Sequence, residues 1–191
     1  MSAQPATSTL YSEEVYLAFE RASMAKHDFL AGEIVAMTGG TVAHNLIAGN
    51  LFAALHQQLR GSGCRVFNSA MRVHVATMGS YTYPDLSVVC GALGMLDERR
   101  DTLTNPVVLV EVLSPATERY DRGMKFQHYR TLASLQEYLL LAQDRPYVEH
   151  FTRQADDKWL LTTLSDITAE LVFVALPCRV ALGMVYEDVE F

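Results

Sequence analysis

The run Val107-Val108-Leu109-Val110-Glu111-Val112-Leu113 is apolar at every position but one. A stretch so hydrophobic reads as a strand buried on both faces, which requires a sheet covered by other elements. Side chains alternate along a strand, so Val107, Leu109, Glu111 and Leu113 face one way and Val108, Val110 and Val112 the other. Glu111 therefore stands on an otherwise apolar face. An ionised carboxylate removed from water without a partner is costly, so a cation, a proton or a metal must sit beside it. A second acid, Asp85, opens the comparable run Tyr83-Pro84-Asp85-Leu86-Ser87-Val88-Val89-Cys90.

The chain has 191 residues, half of them apolar, enough for one well-buried core. Residues 12–191 read as one domain behind a flexible N-terminus, residues 1–11, with disorder expected over Met1 to Ser8. That leading stretch has neither the basic start nor the apolar stretch of a signal peptide. No apolar run reaches the ~20 residues that span a bilayer, so no membrane partner is expected. Cys64, Cys90 and Cys178 are odd in number and widely spaced in apolar surroundings, which predicts reduced core thiols in a cytoplasmic protein. The net charge of −7 argues against strong nonspecific binding to a polyanion. A local basic rim is still compatible with it, and Arg99, Arg100, Arg119, Arg122, Lys125 and Arg130 fall close in sequence to the two acids.

Ser12-Glu13-Glu14 ahead of Val15, Leu17, Ala18 and Phe19 predicts an N-capped helix ending near Ser23. His27 to Leu30 and Glu33 to Met37 flank Ala31-Gly32 as a hairpin. A glycine-rich link, Thr38-Gly39-Gly40-Thr41, precedes a helix from Val42 to Arg60, stopped by Gly61-Ser62-Gly63. Strands are expected at Cys64 to Phe67, Met71 to Val75, Asp85 to Cys90 and Val107 to Val112. Gly91 to Asn105 reads as a loop or a loop with a short helix, and Asp121 to Leu132 as a helix after the Ser114-Pro115 break. Tyr138 to Leu141 resumes as a strand ahead of a β-rich tail. The order fits an α/β or α+β single domain with a mixed sheet.

If the strands bearing Asp85 and Glu111 are neighbours, both carboxylates project from one end of a sheet and offer hard oxygens to Mg²⁺ or Mn²⁺. Such an ion activates a water and neutralises charge on a phosphate. On the following helix Asp121, Lys125 and Tyr129 share a face, so Lys125 can reach the site and assist the attacking water. Glu33 is a further acid that can join the metal shell, and His44 can carry a proton or contact a phosphate. Each residue also has a commonplace explanation. Asp after Pro is frequent in turns, Glu111 can be half of a buried ion pair, Asp121 and Lys125 can form a surface salt bridge, and Glu33 can simply face solvent. His56, His74 and His150 lack metal-ligand spacing, and no G-x-S-x-G elbow surrounds Ser114.

Pro84-Asp85, Glu111 and Lys125 resemble the PD-(D/E)XK nuclease signature with its lysine migrated to a helix; the usual lysine position holds Leu113. A resemblance over nearly the whole chain is carried by Gly32 to Met37, His44, Tyr83-Pro84-Asp85, Glu111 to Glu118, Tyr120 to Lys125, Tyr129-Arg130 and Leu135 to Tyr138. These motifs, in this order, are similar to the Uma-two family of restriction-endonuclease-like proteins. The resemblance implies a restriction-endonuclease-like core, with helices flanking a central mixed sheet and a β-rich C-terminal part, in a cytoplasmic homodimer. It implies metal ligation by Asp85 and Glu111, catalysis by Lys125, and Glu33 in the same cleft. Asp28 stands where that family more often has Glu. The expected activity is Mg²⁺- or Mn²⁺-dependent endonucleolytic hydrolysis of nucleic acid, DNA foremost. The alternatives are an inactive nucleic-acid-binding or assembly protein of the same fold, or a hydrolase of small phosphate esters.

Overall fold

The computed structural model describes residues 10–191, so the expected disorder of Met1 to Ser8 lies outside the described residues. Helix α1 (Glu13–Ala22) starts as its sequence dictates: the Ser12 side chain accepts from the Val15 amide, and Glu13 and Glu14 occupy the positive first turn. Strands β1 (His27–Leu30) and β2 (Glu33–Ala36) form the expected hairpin, with Ala31 and Gly32 both at positive φ. Tyr11 is tied to this turn by its amide, which donates to the Gly32 carbonyl at 2.8 Å. Helix α2 (Val42–Gln58) follows, capped by Thr41.

The centre is a six-stranded mixed sheet ordered β11-β10-β9-β8-β6-β3. Its members are β3 (Cys64–Asn68), β6 (Leu86–Cys90), β8 (Val108–Val112), β9 (Glu137–Leu141), β10 (Val148–Arg153) and β11 (Trp159–Leu164). Only β8 and β9 pair in parallel. On one face Val108, Val110, Val112, Leu139 and Leu141 pack with α2 and the C-terminal elements β12 (Glu170–Val172), β13 (Arg179–Ala181) and α5 (Leu182–Val185). On the other face Leu109, Leu113, Tyr138 and Leu140 meet Tyr129, Leu132 and Leu135, together with Val73 and Val75 of a second sheet. The alternation read from the 107–113 run holds from Val108 onward; Val107 packs with the first face. No helix among the described residues is long and apolar enough to cross a membrane.

The second sheet, ordered β2-β1-β5-β4-β7, contains two strands that hydrophobic pattern did not reveal. One is β5 (Ser80–Thr82), which pairs with both β1 and β4 (Arg72–Val75). The other is β7 (Thr102–Leu103), which lies within the segment expected to be a loop or short helix and pairs in parallel with β4. Both are too short to show a period. The helix expected over Asp121 to Leu132 starts earlier and is not uniform. It comprises α3 (Glu118–Tyr120), a π-turn (Asp121–Lys125) and α4 (Phe126–Tyr129).

The expectation of three reduced thiols is corrected. Cys64 and Cys90 form a disulfide, and Cys178 alone is free and buried. The antiparallel register of β3 and β6 sets Cys64 opposite Cys90, with their Cα atoms 3.9 Å apart. A separation of 26 residues hides that adjacency in the sequence.

Candidate active site

Strands β6 and β8 are antiparallel neighbours, with Leu86 opposite Val110 and Ser87 opposite Leu109. Continued by one residue, that register sets Asp85 across from Glu111, on one face because pleated pairs share a side. Asp85 is fixed at both oxygens: Oδ2 accepts from the Val112 amide at 2.7 Å, and Oδ1 pairs with His44 Nε2 at 2.9 Å. Thr41 accepts from the His44 amide, placing His44 in the first turn of α2. Its ring lies so close to Gly40 that a Cβ there would stand 2.8 Å from His44 Cδ2. The glycine-rich link is therefore needed for the His44 position.

Glu111 is 4 % exposed. Its Oε1 accepts from Lys125 Nζ at 2.8 Å and from the Tyr129 hydroxyl at 2.9 Å, while Oε2 has no protein hydrogen bond among the described residues. Lys125 also lies 3.2 Å from Asp121 Oδ1, an oxygen that is buried and makes no hydrogen bond among the described residues. The Asp121 and Lys125 pair is thus a buried feature of the site and not a surface bridge. A single π-turn carries both residues, an irregularity common at functional sites. The Tyr138 hydroxyl donates to the Asp121 carbonyl and ties this turn to the sheet.

These groups line one cleft of about 430 Å³ whose walls include Asp28, His44, Tyr83, Asp85, Glu111, Tyr120, Asp121 and Lys125. The sequence-derived set of Asp85, Glu111, Lys125 and His44 is brought together. Glu33 is not. It shares a face of β2 with Val35, but it sits opposite Leu30 at the hairpin tip, exposed and away from the cleft lining. Asp28, opposite Val35, supplies an acid instead, and its Oδ1 accepts from the Tyr83 amide at 3.1 Å. The signals for Asp28 and Asp121 were present: Asp28 lies on the same strand face as Leu30, and Asp121 lies one helical turn before Lys125.

The electrostatics are those of a site short of positive charge. Burial pushes the Glu111 carboxyl well above the usual range; Asp121 and Asp85 push the same way and Lys125 pulls against them. Burial likewise raises Asp28, again opposed by Lys125. Burial disfavours the Lys125 ammonium, but Glu111, Asp121 and Asp28 outweigh it, so the lysine stays charged. Hydrogen bonding to Asp85 raises His44 above its ordinary value, burial opposing. Three acidic side chains, Glu111, Asp121 and Asp28, thus share one ammonium.

That deficit is the test of whether a divalent cation fits. Asp85 and Glu111 offer hard oxygens at one end of the sheet, and Glu111 Oε2 remains open. No group of three or more His, Cys, Asp or Glu side chains forms a metal-binding arrangement among the described residues. A two-carboxylate site with waters completing the shell suits Mg²⁺ or Mn²⁺, which retain several waters. The donor chemistry of Asp85 and Glu111 fits such an ion.

The mixed sheet with helices on its faces is the restriction-endonuclease-like fold. Residues 13–182 match the model of the Uma2 family, described as "Putative restriction endonuclease", and the chain belongs to that family. It is similar to two uncharacterized proteins of Synechocystis sp. (strain ATCC 27184 / PCC 6803 / Kazusa). It is 36% identical to sll1609 over 88% of this chain and 95% of that protein, and 32% identical to slr1290 over 94% and 93%. Among solved structures it resembles one described as "a putative nuclease belonging to DUF820" from Anabaena variabilis. That match has a TM-score of 0.75 at 15% identity, over 92% of this chain and 97% of the other, and establishes the shared fold.

Proposed function

We propose that this protein is a Mg²⁺- or Mn²⁺-dependent endonuclease that hydrolyses phosphodiester bonds in nucleic acid, DNA foremost. The observation that carries this reading is the convergence of Asp85 and Glu111, from adjacent strands, on one cleft where Lys125 is held on Glu111. Asp85 and Glu111 would hold the divalent cation, whose chemistry when bound would be activation of a water and neutralisation of charge on the phosphate. The protein's own part is positional. His44 and the Val112 amide fix the Asp85 carboxylate, while Tyr129 and Lys125 fix Oε1 of Glu111 and leave its other oxygen toward the cleft. Lys125, kept protonated by its acidic neighbours, sets a positive charge where negative charge develops on a transferring phosphoryl group. Membership of the Uma2 family supports the same chemistry.

The test is incubation of the purified protein with DNA and RNA in Mn²⁺, Mg²⁺ or EDTA, beside Asp85→Ala and Lys125→Ala. Metal-dependent cleavage lost in both variants establishes the activity. Measurable metal affinity with no cleavage of any nucleic acid moves the protein to the binding or assembly alternative.

A further inference from the structure

The lining of the cleft bears on which form of nucleic acid can reach the site. This deepens the nuclease reading above and rests on it. Duplex and single-strand sites alike neutralise phosphates with Lys and Arg, so charge alone does not tell the two apart. Of the six basic residues near the site in sequence, only Lys125 lines the cleft, and it is occupied by Glu111 and Asp121. Arg122 is engaged by Glu118 and Glu149. The chain as a whole carries a net charge of −7.

What the cleft does offer is an apolar wall. Val35 and Met37 lie on the side of the β1–β2 hairpin that also carries Asp28, and both line the cleft while remaining 43% and 37% exposed. Tyr120 lines the same cleft, and its hydroxyl is buried without a hydrogen-bond partner among the described residues. A base has an apolar face and polar edges, and single-strand sites pair such faces with aromatic and apolar side chains. The acidic floor would receive the phosphate together with its cation, and about 430 Å³ is of the size that takes one nucleotide unit. We infer that the substrate is single-stranded or locally unpaired nucleic acid, with one base against Val35 and Met37 and the scissile phosphate at Asp85 and Glu111.

The experiment compares a fluorescently labelled circular oligothymidine with a dumbbell duplex closed at both ends by non-nucleotide linkers, so that neither substrate has a free end and the duplex has no unpaired nucleotide. Cleavage is measured in Mn²⁺ and binding by anisotropy in Ca²⁺, using the wild type and Met37→Ser. Because a base in a closed duplex must first be extruded, the single strand should be cut and bound at least about tenfold better than the dumbbell. Met37→Ser, which removes apolar surface without adding charge, should weaken strand binding while Mn²⁺ affinity by calorimetry stays the same. Equal cutting and binding of both substrates overturns the inference and leaves the nuclease reading standing. Cleavage of neither overturns the nuclease reading; strand-selective binding weakened by Met37→Ser would then still uphold the single-strand site, and unselective binding would overturn that too.

Discussion

Two buried glutamates on adjacent parallel strands, Glu111 on β8 and Glu137 on β9, meet the same desolvation problem on opposite faces of the central sheet. Glu137 is fully satisfied. Its Oε1 accepts from the amides of Val174 and Ala175 at 3.0 and 2.6 Å, and its Oε2 pairs with His150. Glu111 has partners on Oε1 alone and shares its lysine with Asp121. Buried acids that hold a fold together have their acceptors filled, because each vacancy costs stability. The carboxylate with an oxygen left over is the one facing a cleft. Burial alone therefore does not separate the two glutamates; the unpartnered Oε2 of Glu111 does.

The comparison breaks most visibly under mutation. Removing Asp85 or Lys125 as alanine should reduce metal-dependent cleavage by about 10⁴-fold, since the cation or the positive charge at the phosphate is lost. Retention of activity within tenfold (about 1.4 kcal/mol) by either variant would remove that residue from the chemistry. Glu137→Ala should behave in the opposite way. It leaves His150 and two amides of the 173–176 turn without their acceptor, and chemical denaturation should show a loss of about 3–5 kcal/mol. Mn²⁺ affinity should not change, because Glu137 faces away from the cleft. A Glu137→Ala protein as stable as the wild type would show that its hydrogen bonds are replaced by water.

The two glutamates were not equally legible in the sequence. Glu111 interrupts a run of seven residues that is otherwise apolar, so its oddity is visible without a structure. Glu137 stands at the head of its strand, where a charged residue draws no attention, and its partners His150, Val174 and Ala175 come from later in the chain. The same division holds for the rest of the fold. Elements of more than a few residues announce themselves by period, whereas β5 and β7 exist only because neighbouring strands offer them hydrogen bonds. Within the site, Asp85, Glu111, Lys125 and His44 carried local signals of type and position. Glu33 was misplaced because strand alternation gives the face of a residue and not its distance along the hairpin. The Cys64–Cys90 pair was misjudged because spacing says nothing about cross-strand register.

A smaller effect sharpens the role of the His44 contact. Gly40→Ala would put a methyl 2.8 Å from the His44 ring. The ring must shift, and the hydrogen bond to Asp85 should be strained or lost at a cost of about 1 kcal/mol. Metal affinity measured by calorimetry should fall, while Gly39→Ala, where an added Cβ meets nothing within 4 Å, should leave it unaltered. Equal behaviour of the two variants would deny His44 a part in positioning Asp85.

The smallest expected effect separates the two glutamates by sign. Glu111→Gln keeps the shape of the side chain and an acceptor for Lys125, and removes a carboxyl whose ionised form burial, Asp121 and Asp85 disfavour. In metal-free buffer it should raise stability by about 1 kcal/mol at neutral pH, whereas Glu137→Gln should lower it. The pH dependence follows from linkage. A carboxyl whose native pKa is raised contributes stability that is full below its unfolded value, near 4.5, and is lost as pH rises through the native one. The wild type without metal should therefore weaken as the pH rises above the ordinary carboxyl range, and the Gln variant should lack that component. The gap in melting temperature should widen with rising pH and close on acidification. Addition of Mn²⁺ should reverse the order, because only the wild type retains both ligands. A gap that is flat with pH, or that already favours the wild type without metal, would mean that Lys125 compensates Glu111 as fully as the turn and His150 compensate Glu137. The contrast between the two faces of the sheet would then fail.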